Sequence, residues 1–320
     1  MIKKIGVMTS GGDSPGMNAA IRAVVRSALS MDIEVYGIYD GYRGMVEGKI
    51  VPMDRHSVSE MLGRGGTILG TARLPEFKQA EVREKAIEQL NQVGIDAVVV
   101  IGGDGSYRGA SELTKMGINC IALPGTIDND ISSSDFSIGF DTALNTVVEA
   151  VDKLRDTSSS HRRCSVVEVM GNRCGDLAIW AGLATGAEIV ITAQSGFDEV
   201  DVLKQLEYFH NVLKKNHAIV IISEKMTDVE AFARKVTKST GFDGRATVLG
   251  HVQRGGSPSP FDRVLASRLG SRAVELLAEG IGGQCVGILD NKIVNIPIEE
   301  ALDMPRSSRK ELYQLFGKLV

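Results

Sequence analysis

Short apolar segments alternate with amphipathic segments along nearly the whole chain of 320 residues. Segments such as Ala97–Ile101 and Ala218–Ile222 are almost wholly apolar, a pattern typical of strands that are buried on both faces. In 142–156, apolar residues instead recur every three or four positions, which predicts an amphipathic helix. The alternation predicts an α/β fold built from parallel βαβ units, with helices on both faces of each sheet.

The same patterns predict nine strands and eight helices. The predicted strands are Lys4–Thr9, Glu34–Tyr39, Ala97–Ile101, Cys120–Leu123, Ser165–Met170, Glu188–Ile191, Ala218–Ile222, Thr247–Leu249 and Cys285–Leu289. The predicted helices are Met17–Ser30, Gln79–Val93, Tyr107–Met116, Thr142–Asp156, Asp176–Thr185, Val200–Lys215, Val229–Thr240 and Pro260–Glu279. The length suits about two domains, and the serine-rich 158–163 segment, the most loop-like stretch, is expected to mark the entry to the second.

Composition and charge exclude several classes of function. The formal net charge of −4 gives no reason to expect nucleic acid or an anionic membrane as a partner. The four cysteines form no CxxC pair, which predicts buried free thiols in a reducing compartment. No apolar run reaches the roughly 18 residues that a membrane helix needs, and the apolar run at the N-terminus is too short for a signal peptide. We therefore expect a cytoplasmic protein.

Two predicted strands each end in an acidic, glycine-rich turn. Residues 96–101 lead into Gly102-Gly-Asp-Gly-Ser106, and residues 119–123 lead into Pro124-Gly-Thr-Ile-Asp-Asn-Asp130. The ends of parallel strands line up along one edge, where open α/β sheets bind ligands. Asp104 would repel phosphates at that edge unless a divalent cation lay between them. Asp128 and Asp130 are then candidates for proton transfer, and the pattern predicts metal-dependent phosphoryl transfer.

Other interpretations of these motifs remain open. Asp128 and Asp130 are also typical of a simple Asx turn. The GxGxxxG spacing of 103–109 is found in dinucleotide sites, although an aspartate against the pyrophosphate disfavours that interpretation. The turn at 9–18, which is followed by a helix, suits an anion site or an ordinary βα turn equally well, and the chain contains no Walker A motif.

Arginines near glycine-rich turns are candidate contacts for phosphate groups, because the planar guanidinium group matches phosphate oxygens. His251 lies in such a turn beside Arg254, whereas the five histidines together show no metal-ligand spacing. The candidate arginines are Arg73, Arg162, Arg163, Arg245 and Arg254.

Taken together, five motifs resemble those of the bacterial ATP-dependent 6-phosphofructokinases, in the same order along residues 2 to about 290. They are Gly11-Gly-Asp-Ser-Pro-Gly-Met-Asn18, Gly102-Gly-Asp-Gly-Ser106, Pro124-Gly-Thr-Ile-Asp-Asn-Asp130, Val169-Met-Gly171 and Gly250-His-Val-Gln-Arg-Gly-Gly256.

The resemblance implies two doubly wound, Rossmann-like α/β/α domains in a homotetramer. An ATP- and Mg²⁺-binding domain would cover 1–138 plus 251–304, and a fructose 6-phosphate domain would cover 139–250 plus 305–320. The implied reaction transfers the γ-phosphoryl group of MgATP to the 1-hydroxyl of fructose 6-phosphate, the committing step of glycolysis.

The resemblance also implies roles for individual residues. Asp128 would be the base, with Thr126, Arg73 and Asp130 beside it, and Asp104 would bind the metal. The implied ATP site contains Gly12, Tyr42, Arg73, Leu74, Gly103, Asp104, Gly105, Ser106 and Gly109. The implied sugar-phosphate site contains Thr126, Ile127, Asp128, Met170, Gly171, Asn172, Glu224, His251 and Arg254, together with Arg163 and Arg245 from a neighbouring subunit.

A second, allosteric site is implied for ADP as activator or phosphoenolpyruvate as inhibitor. Its residues would be Arg22, Arg26, Arg55, Arg155, Gly186, Glu188 and one of Lys214 and Lys215, whose alignment is ambiguous.

Two features bear on alternatives within the family resemblance. Pyrophosphate-dependent relatives usually carry Asp at the position of Gly105 and Lys at that of Gly125, so the two glycines favour ATP.

The family usually has an arginine where this chain has Asn172, followed here by Arg173. Asn172 is the one feature that favours a non-catalytic sensor of nucleotide and sugar phosphate, whereas the presence of Asp104 and Asp128 favours an enzyme. A nicotinamide dehydrogenase is a third and more distant alternative.

Overall fold

The computed structural model describes residues 2–306 and 308–320. Within them the strands are β1 (Lys4–Ser10), β2 (Glu34–Ile38), β3 (Ile50–Met53), β4 (Ala97–Gly102), β5 (Asn119–Pro124), β6 (Arg163–Val169), β7 (Ile189–Ile191), β8 (Ala218–Ser223), β9 (Asp243–Val248), β10 (Gln284–Leu289) and β11 (Lys292–Pro297). The helices are α1 (Met17–Ser30), α2 (Gly41–Glu47), α3 (Ala80–Val93), α4 (Asp104–Lys115), α5 (Phe140–His161), α6 (Asp176–Thr185), α7 (Glu199–Asn211), α8 (Val229–Ser239), α9 (Pro260–Ala278), α10 (Ile298–Asp303) and α11 (Lys310–Leu319).

The chain divides into two compact units, each formed from two segments. One lies within Met1–Thr142 and Arg254–Arg306, and the other lies within Ala143–Gln253 and Ser307–Val320. The expected assignment of ATP and Mg²⁺ to one domain and of fructose 6-phosphate to the other remains a prediction.

The first unit contains a seven-stranded sheet in the order β11-β10-β5-β4-β1-β2-β3. The inner strands β10, β5, β4, β1 and β2 are parallel, and the edge strands β3 and β11 pair antiparallel to their neighbours. Val99 and Ile121 pack with α1 and α9 on one face, while Val98 and Cys120 pack with α3 and α4 on the other. Burial on both faces explains why these strands are almost wholly apolar.

The second unit contains a four-stranded parallel sheet in the order β7-β8-β6-β9. Val166 and Val220, on its two central strands, pack with Leu206 of α7 and with Phe232 and Val236 of α8 in one buried cluster. The predicted α/β fold, with parallel sheets covered by helices, is therefore confirmed in both units.

Several local predictions were wrong. The 158–163 segment is not mainly a loop, because α5 continues to His161 and the Ser158 Oγ lies 2.7 Å from the Ser165 Oγ of β6. The helix predicted from Tyr107 begins at Asp104, and the strand predicted at Thr247–Leu249 begins at Asp243. The prediction also missed β3, β11, α2 and α10, whereas the C-terminal helix expected for the second domain is α11. None of the helices described is both long and apolar enough to cross a membrane.

Candidate active site

Three parallel strands of the first unit end together in register. Ser10 of β1 pairs with Gly102 of β4, and Gly102 pairs with Pro124 of β5. The Gly125 amide also donates to the Gly102 carbonyl at 3.0 Å. The prediction that the two acidic turns lie side by side at one sheet edge is confirmed, and the turn after β1 lies at the same edge.

Asp104 is the first residue of α4, and Gly103 precedes it as N-cap without a capping side chain. Its carboxylate is 41% exposed and accepts from the Arg108 Nε at 3.1 Å. A Cβ built at Gly105 would meet no atom within 4 Å, and one at Gly103 would make only ordinary contact. The helix N-terminus therefore has open space on both sides of the carboxylate, which suits a phosphate with its cation.

The start of α4 suits a magnesium ion that binds together with a nucleotide. Mg²⁺ is commonly held by one or two carboxylates, together with phosphate oxygens and waters. Asp104 offers such a carboxylate beside open space. Within 2–306 and 308–320, no group of three His, Cys, Asp or Glu residues is placed to hold a metal by itself. The arrangement suits a cation shared with phosphates.

Buried residues hold the first turn of α4 in place by hydrogen bonds and ring packing. The Tyr42 hydroxyl donates to the Ser106 carbonyl at 2.6 Å, and the Ser106 hydroxyl donates to the Ser10 carbonyl at 3.1 Å. The Tyr42 ring stacks on Phe77 at 4.2 Å between centroids, and a Cβ at Gly109 would lie 2.5 Å from that ring. Burial raises the pKa of Tyr42 well above its ordinary value. These residues fix the position of the turn, and the packing requires glycine at 109.

Arg254 lies over the turn that follows β1. Its Nη1 donates to the Asp13 carbonyl at 3.2 Å, and a Cβ at Gly12 would lie 2.2 Å from the same nitrogen. Arg73 is exposed, and its carbonyl accepts from the Arg43 Nη2 at 2.8 Å. Leu74 packs beside the buried cluster that includes Tyr42. Glycine at 12 thus leaves room for a guanidinium group at the strand-end edge.

The turn after β5 contains the candidate base. Asp128 is half-buried, and its amide donates to the Thr126 Oγ1 at 3.2 Å. Ile127 is fully buried, and the Asp130 carboxylate lies 3.5 Å from the Arg306 Nη2. Both aspartates are therefore partly buried, and Asp130 lies near a guanidinium group.

Four predicted residues of the second unit lie together at the ends of β6 and β8. The Asn172 amide donates to the Glu224 Oε1 at 2.8 Å, and the Met170 amide donates to the Gln253 Oε1 at 3.2 Å. Gly171 has a φ of 132° and Asn172 a φ of 55°, a left-handed conformation that asparagine tolerates better than most side chains. Burial, and then the charge of Glu224, raise the pKa of the neighbouring Glu168.

Arg163 and Arg245 meet at one carboxylate of the same unit. The Asp243 Oδ2 accepts from the Arg163 Nε at 3.2 Å and from the Arg245 Nε and Nη2 at 3.0 and 2.9 Å. Burial favours the protonated Asp243, but the hydrogen bonds and charges of the two arginines outweigh it and lower its pKa. His251 is exposed in the 3₁₀ helix Gly250–Arg254.

Three candidate effector residues of the second unit, Gly186, Glu188 and Lys215, line a small cavity of about 90 Å³. The Lys215 Nζ lies 3.2 Å from the Glu188 Oε1, and the Arg155 Nη2 donates to the carbonyls of Thr185 and Gly186. Lys215, and not Lys214, is among the residues that line this cavity. The lining residues are Gly182, Leu183, Gly186, Ala187, Glu188, Lys215, Phe316, Leu319 and Val320.

The other three candidates for that site belong to the first unit. Arg22 and Arg26 lie one turn apart on α1, and burial, followed by the charge of Arg26, lowers the pKa of Arg22. Arg55 is exposed between β3 and α3.

Sequence reasoning missed two buried polar residues beside the candidate base. Asn129 is 6% exposed and has a φ of 52°, and Ser137 is 1% exposed. Asn129 stands between the two aspartates and carried a weak signal, because asparagine is common at positive φ. Ser137 is one of four serines in 132–137, and nothing in the sequence separates it from the others.

The chain is similar to known proteins over most of its length. The family model described as "Phosphofructokinase" matches residues 4–277. The ATP-dependent 6-phosphofructokinases of Vibrio campbellii and Teredinibacter turnerae are 57% and 58% identical, and each match covers 100% of both chains.

Solved structures are similar over the same length. The phosphofructokinase of Saccharomyces cerevisiae is 34% identical with a TM-score of 0.90, covering 98% of this chain and 50% of the yeast chain. The pyrophosphate-dependent phosphofructokinase of Marinobacter aquaeolei has a TM-score of 0.85 over 96% of this chain and 85% of its own, and at 22% identity it shows the fold alone.

Proposed function

Because the chain belongs to the phosphofructokinase family, we propose that it is a kinase that transfers the γ-phosphoryl group of ATP to the 1-hydroxyl of fructose 6-phosphate. The products are fructose 1,6-bisphosphate and ADP, as in the committing step of glycolysis. The observation that carries the proposal is the pair of acidic turns, with Asp104 and Asp128, at adjoining strand ends in a chain 57% identical over its full length to an ATP-dependent 6-phosphofructokinase.

In this reaction Asp128 accepts the proton of the 1-hydroxyl as its oxygen bonds to the γ-phosphorus and the bond to the ADP oxygen breaks. Its half-buried position limits solvation of the carboxylate. Thr126 holds the Asp128 amide, and Asp130, near Arg306, modulates the local charge. Arg73 would face the transferring group. Phosphoryl transfer depends more on alignment and charge neutralisation than on covalent help from the protein.

Asp104 would bind Mg²⁺ together with the nucleotide phosphates, and the cation would neutralise their charge. Gly103 and Gly105 keep space beside this carboxylate, and Ser106, Tyr42 and Gly109 fix the turn that presents it. Gly12 and Leu74 complete the proposed ATP site.

The sugar phosphate would be bound by Met170, Gly171, Asn172, Glu224, His251 and Arg254, with Thr126, Ile127 and Asp128 at the reacting hydroxyl. We further propose a homotetramer in which Arg163 and Arg245 reach the sugar phosphate of a neighbouring subunit. The arginine pair on Asp243 supports this role, because the shared carboxylate orients both guanidinium groups before an anion binds.

The phosphoryl donor is ATP rather than pyrophosphate. At Gly105 the open space allows a larger residue, so packing does not require glycine there. At Gly125 a Cβ would lie 3.0 Å from the Ile101 Cγ2 and 3.2 Å from the Met17 Cε, so packing alone explains part of the choice. The names of the relatives at 57% and 58% identity support ATP independently.

An effector site for ADP or phosphoenolpyruvate is proposed around Arg155, Gly186, Glu188 and Lys215, with Arg22, Arg26 and Arg55 as further candidates. The cavity beside Glu188 and Lys215 supports it. The combination of a cation and a carboxylate is typical of a site that binds a phosphate together with a metal.

The proposed reaction is tested by initial rates with fructose 6-phosphate and Mg²⁺, with ATP or pyrophosphate as donor. Replacing Asp128 with Asn removes the base and should lower kcat by a factor of about 10² to 10⁴. Asp135→Asn is the matched control, since Asp135 is a nearby half-buried aspartate whose carboxylate accepts from the Asp290 amide at 2.8 Å. Activity with pyrophosphate alone would refute the donor assignment. Binding of both ligands without turnover would favour a sensor.

A further inference from the structure

The turn that contains Asp128 is held by a second segment of the same unit. The Ser137 hydroxyl donates to the Thr126 carbonyl at 2.6 Å, and the Ser137 amide donates to the Asn129 Oδ1 at 2.9 Å. The Asn129 Nδ2 donates in turn to the Asp135 carbonyl at 3.0 Å. Asp128 lies between the two residues, Thr126 and Asn129, that these bonds hold.

The bonds are buried and mutually dependent. Ser137 is 1% exposed and Asn129 6% exposed, so water does not replace a lost partner easily. The Ser137 Oγ is also 3.2 Å from the Asn129 Oδ1. The hydroxyl has a single proton, and the shorter distance favours its donation to the Thr126 carbonyl. The Asn129 Oδ1 then accepts a hydrogen bond from the Ser137 amide.

Asn129 has a left-handed backbone conformation, with a φ of 52°. Asn129 separates Asp128 from Asp130, whose carboxylate lies near the Arg306 guanidinium group. The side-chain bonds of Asn129 to the 135–137 segment stabilise a conformation that is otherwise sparsely populated.

The 137–139 segment is in turn anchored to the sheet edge. The Ile138 amide donates to the Pro124 carbonyl at 2.8 Å, and the Ile138 carbonyl accepts from the Ser14 hydroxyl at 2.8 Å. A Cβ at Gly139 would lie 2.5 Å from the Ser14 Cβ. Ser137 therefore stands on a segment that is fixed to the end of β5 and to the turn that follows β1.

We propose that Ser137 and Asn129 are positioning residues for the proposed phosphoryl transfer: together they set the orientation of the Asp128 carboxylate toward the acceptor hydroxyl. The inference rests on the proposed function, because it assigns Asp128 as the base. Neither residue touches substrate, and both act through the backbone of 126–129.

The test compares Ser137→Ala with Ser134→Ala in the full-length enzyme. Ser134 is the matched control, because it is 5% exposed, donates to the Phe136 carbonyl at 2.7 Å and accepts from the Ile288 amide at 3.0 Å. These bonds do not reach the 126–130 turn. Ser137→Ala should lower kcat about tenfold to a hundredfold, since small misplacements of a reacting group have effects of that size. It should leave KM for ATP unchanged, and Ser134→Ala should keep kcat near that of the wild type.

A double-mutant cycle with Asp128→Asn separates positioning from general structural damage. If Ser137 acts through Asp128, adding Ser137→Ala to Asp128→Asn costs little further kcat. Multiplicative losses, or equal kcat in Ser137→Ala and Ser134→Ala, would overturn the proposal. Ser137→Thr retains the hydroxyl and should keep most of the wild-type kcat. This variant therefore tests the proposal even if the alanine variant folds poorly.

The outcomes also separate this inference from the proposed function. If wild-type enzyme shows no ATP-dependent phosphorylation of fructose 6-phosphate, or if Asp128→Asn keeps full activity, the proposed function fails and the positioning role fails with it. If wild type is active and Asp128→Asn is not, normal kcat in Ser137→Ala refutes the positioning role alone.

Discussion

At the scale of single residues, glycines of the candidate site are required for different reasons. Gly109 is required by packing, because a Cβ would collide with the Tyr42 ring, and Gly12 leaves room for the guanidinium group of Arg254. Gly105 has no such constraint. The sequence predicted all three as parts of one nucleotide site, but only the three-dimensional neighbours reveal which of them the fold itself requires.

The open space at Gly105 leads to a prediction about nucleotide binding. Gly105→Asp should fold with unchanged stability, because its Cβ meets nothing within 4 Å. The added carboxylate beside the proposed phosphate position should raise KM for ATP about tenfold or more by repulsion. Gly105→Ala, which adds volume without charge, is the control and should have a smaller effect. Equal KM values in the aspartate variant and the wild type would show that the phosphates bind elsewhere.

At the scale of elements, buried strands were easier to predict than edges and helix ends. β4 and β5 are covered on both faces and so read as continuous apolar runs. β3 and β11 lie at the sheet edges with mixed burial, and each contains a proline that weakens the strand pattern. The glycines at the start of α4 weaken the helical pattern in the same way, so the prediction missed the first turn of this helix. The contacts of Ser137 and Asn129 escaped prediction because they join segments by tertiary hydrogen bonds.

The N-terminus of α5 illustrates such a tertiary contact. Asp262, in the first turn of α9, is fully buried and caps α5 from another part of the chain. Its carboxylate accepts from the amides of Gly139 and Thr142 at 2.9 and 2.8 Å and from the Thr142 hydroxyl at 2.6 Å. Burial raises its pKa from 3.8 to about 6, although these hydrogen bonds oppose the shift.

The raised pKa of Asp262 predicts how stability depends on pH. The folded protein binds the proton more tightly than the unfolded chain, so this contribution is fully present below pH 3.8 and is lost as the pH rises through about 6. Across that interval the wild type should lose about 3 kcal/mol relative to Asp262→Asn. Urea unfolding followed by circular dichroism at several pH values measures the difference, with Asp135→Asn as the control. Parallel stability curves for wild type and Asp262→Asn would contradict the prediction.

At the scale of the whole molecule, the sequence predicted the fold class and the family but not the local contacts of the candidate effector residues. The alignment left Lys214 and Lys215 equivalent. Side-chain geometry separates them, since Lys215 pairs with Glu188 and lines the cavity. Charge spacing along a chain cannot show which of two adjacent lysines faces inward after a helix has ended.

The separation of the two lysines predicts a selective loss of regulation. Lys215→Ala should reduce the effect of ADP or phosphoenolpyruvate on the apparent affinity for fructose 6-phosphate, within the range of about 5- to 150-fold that is typical of allosteric coupling. Lys214→Ala removes the same charge one residue earlier and should leave the response intact. Saturation curves with and without each effector measure both. Equal responses in the two variants would exclude the cavity as the effector site.

The discontinuity of the first unit has a consequence for synthesis on the ribosome. Residues 1–142 emerge first, but β10 pairs with β5 and α9 packs in the same buried cluster as α1, and both come from 254–306. Until that second segment leaves the exit tunnel, the nascent sheet has an unpaired strand edge at β5 and an apolar helix face at α1. Such surfaces are sites of aggregation. These surfaces stay uncovered for the whole time in which 143–253 are being translated, and we expect the nascent chain to be most prone to aggregation in that period.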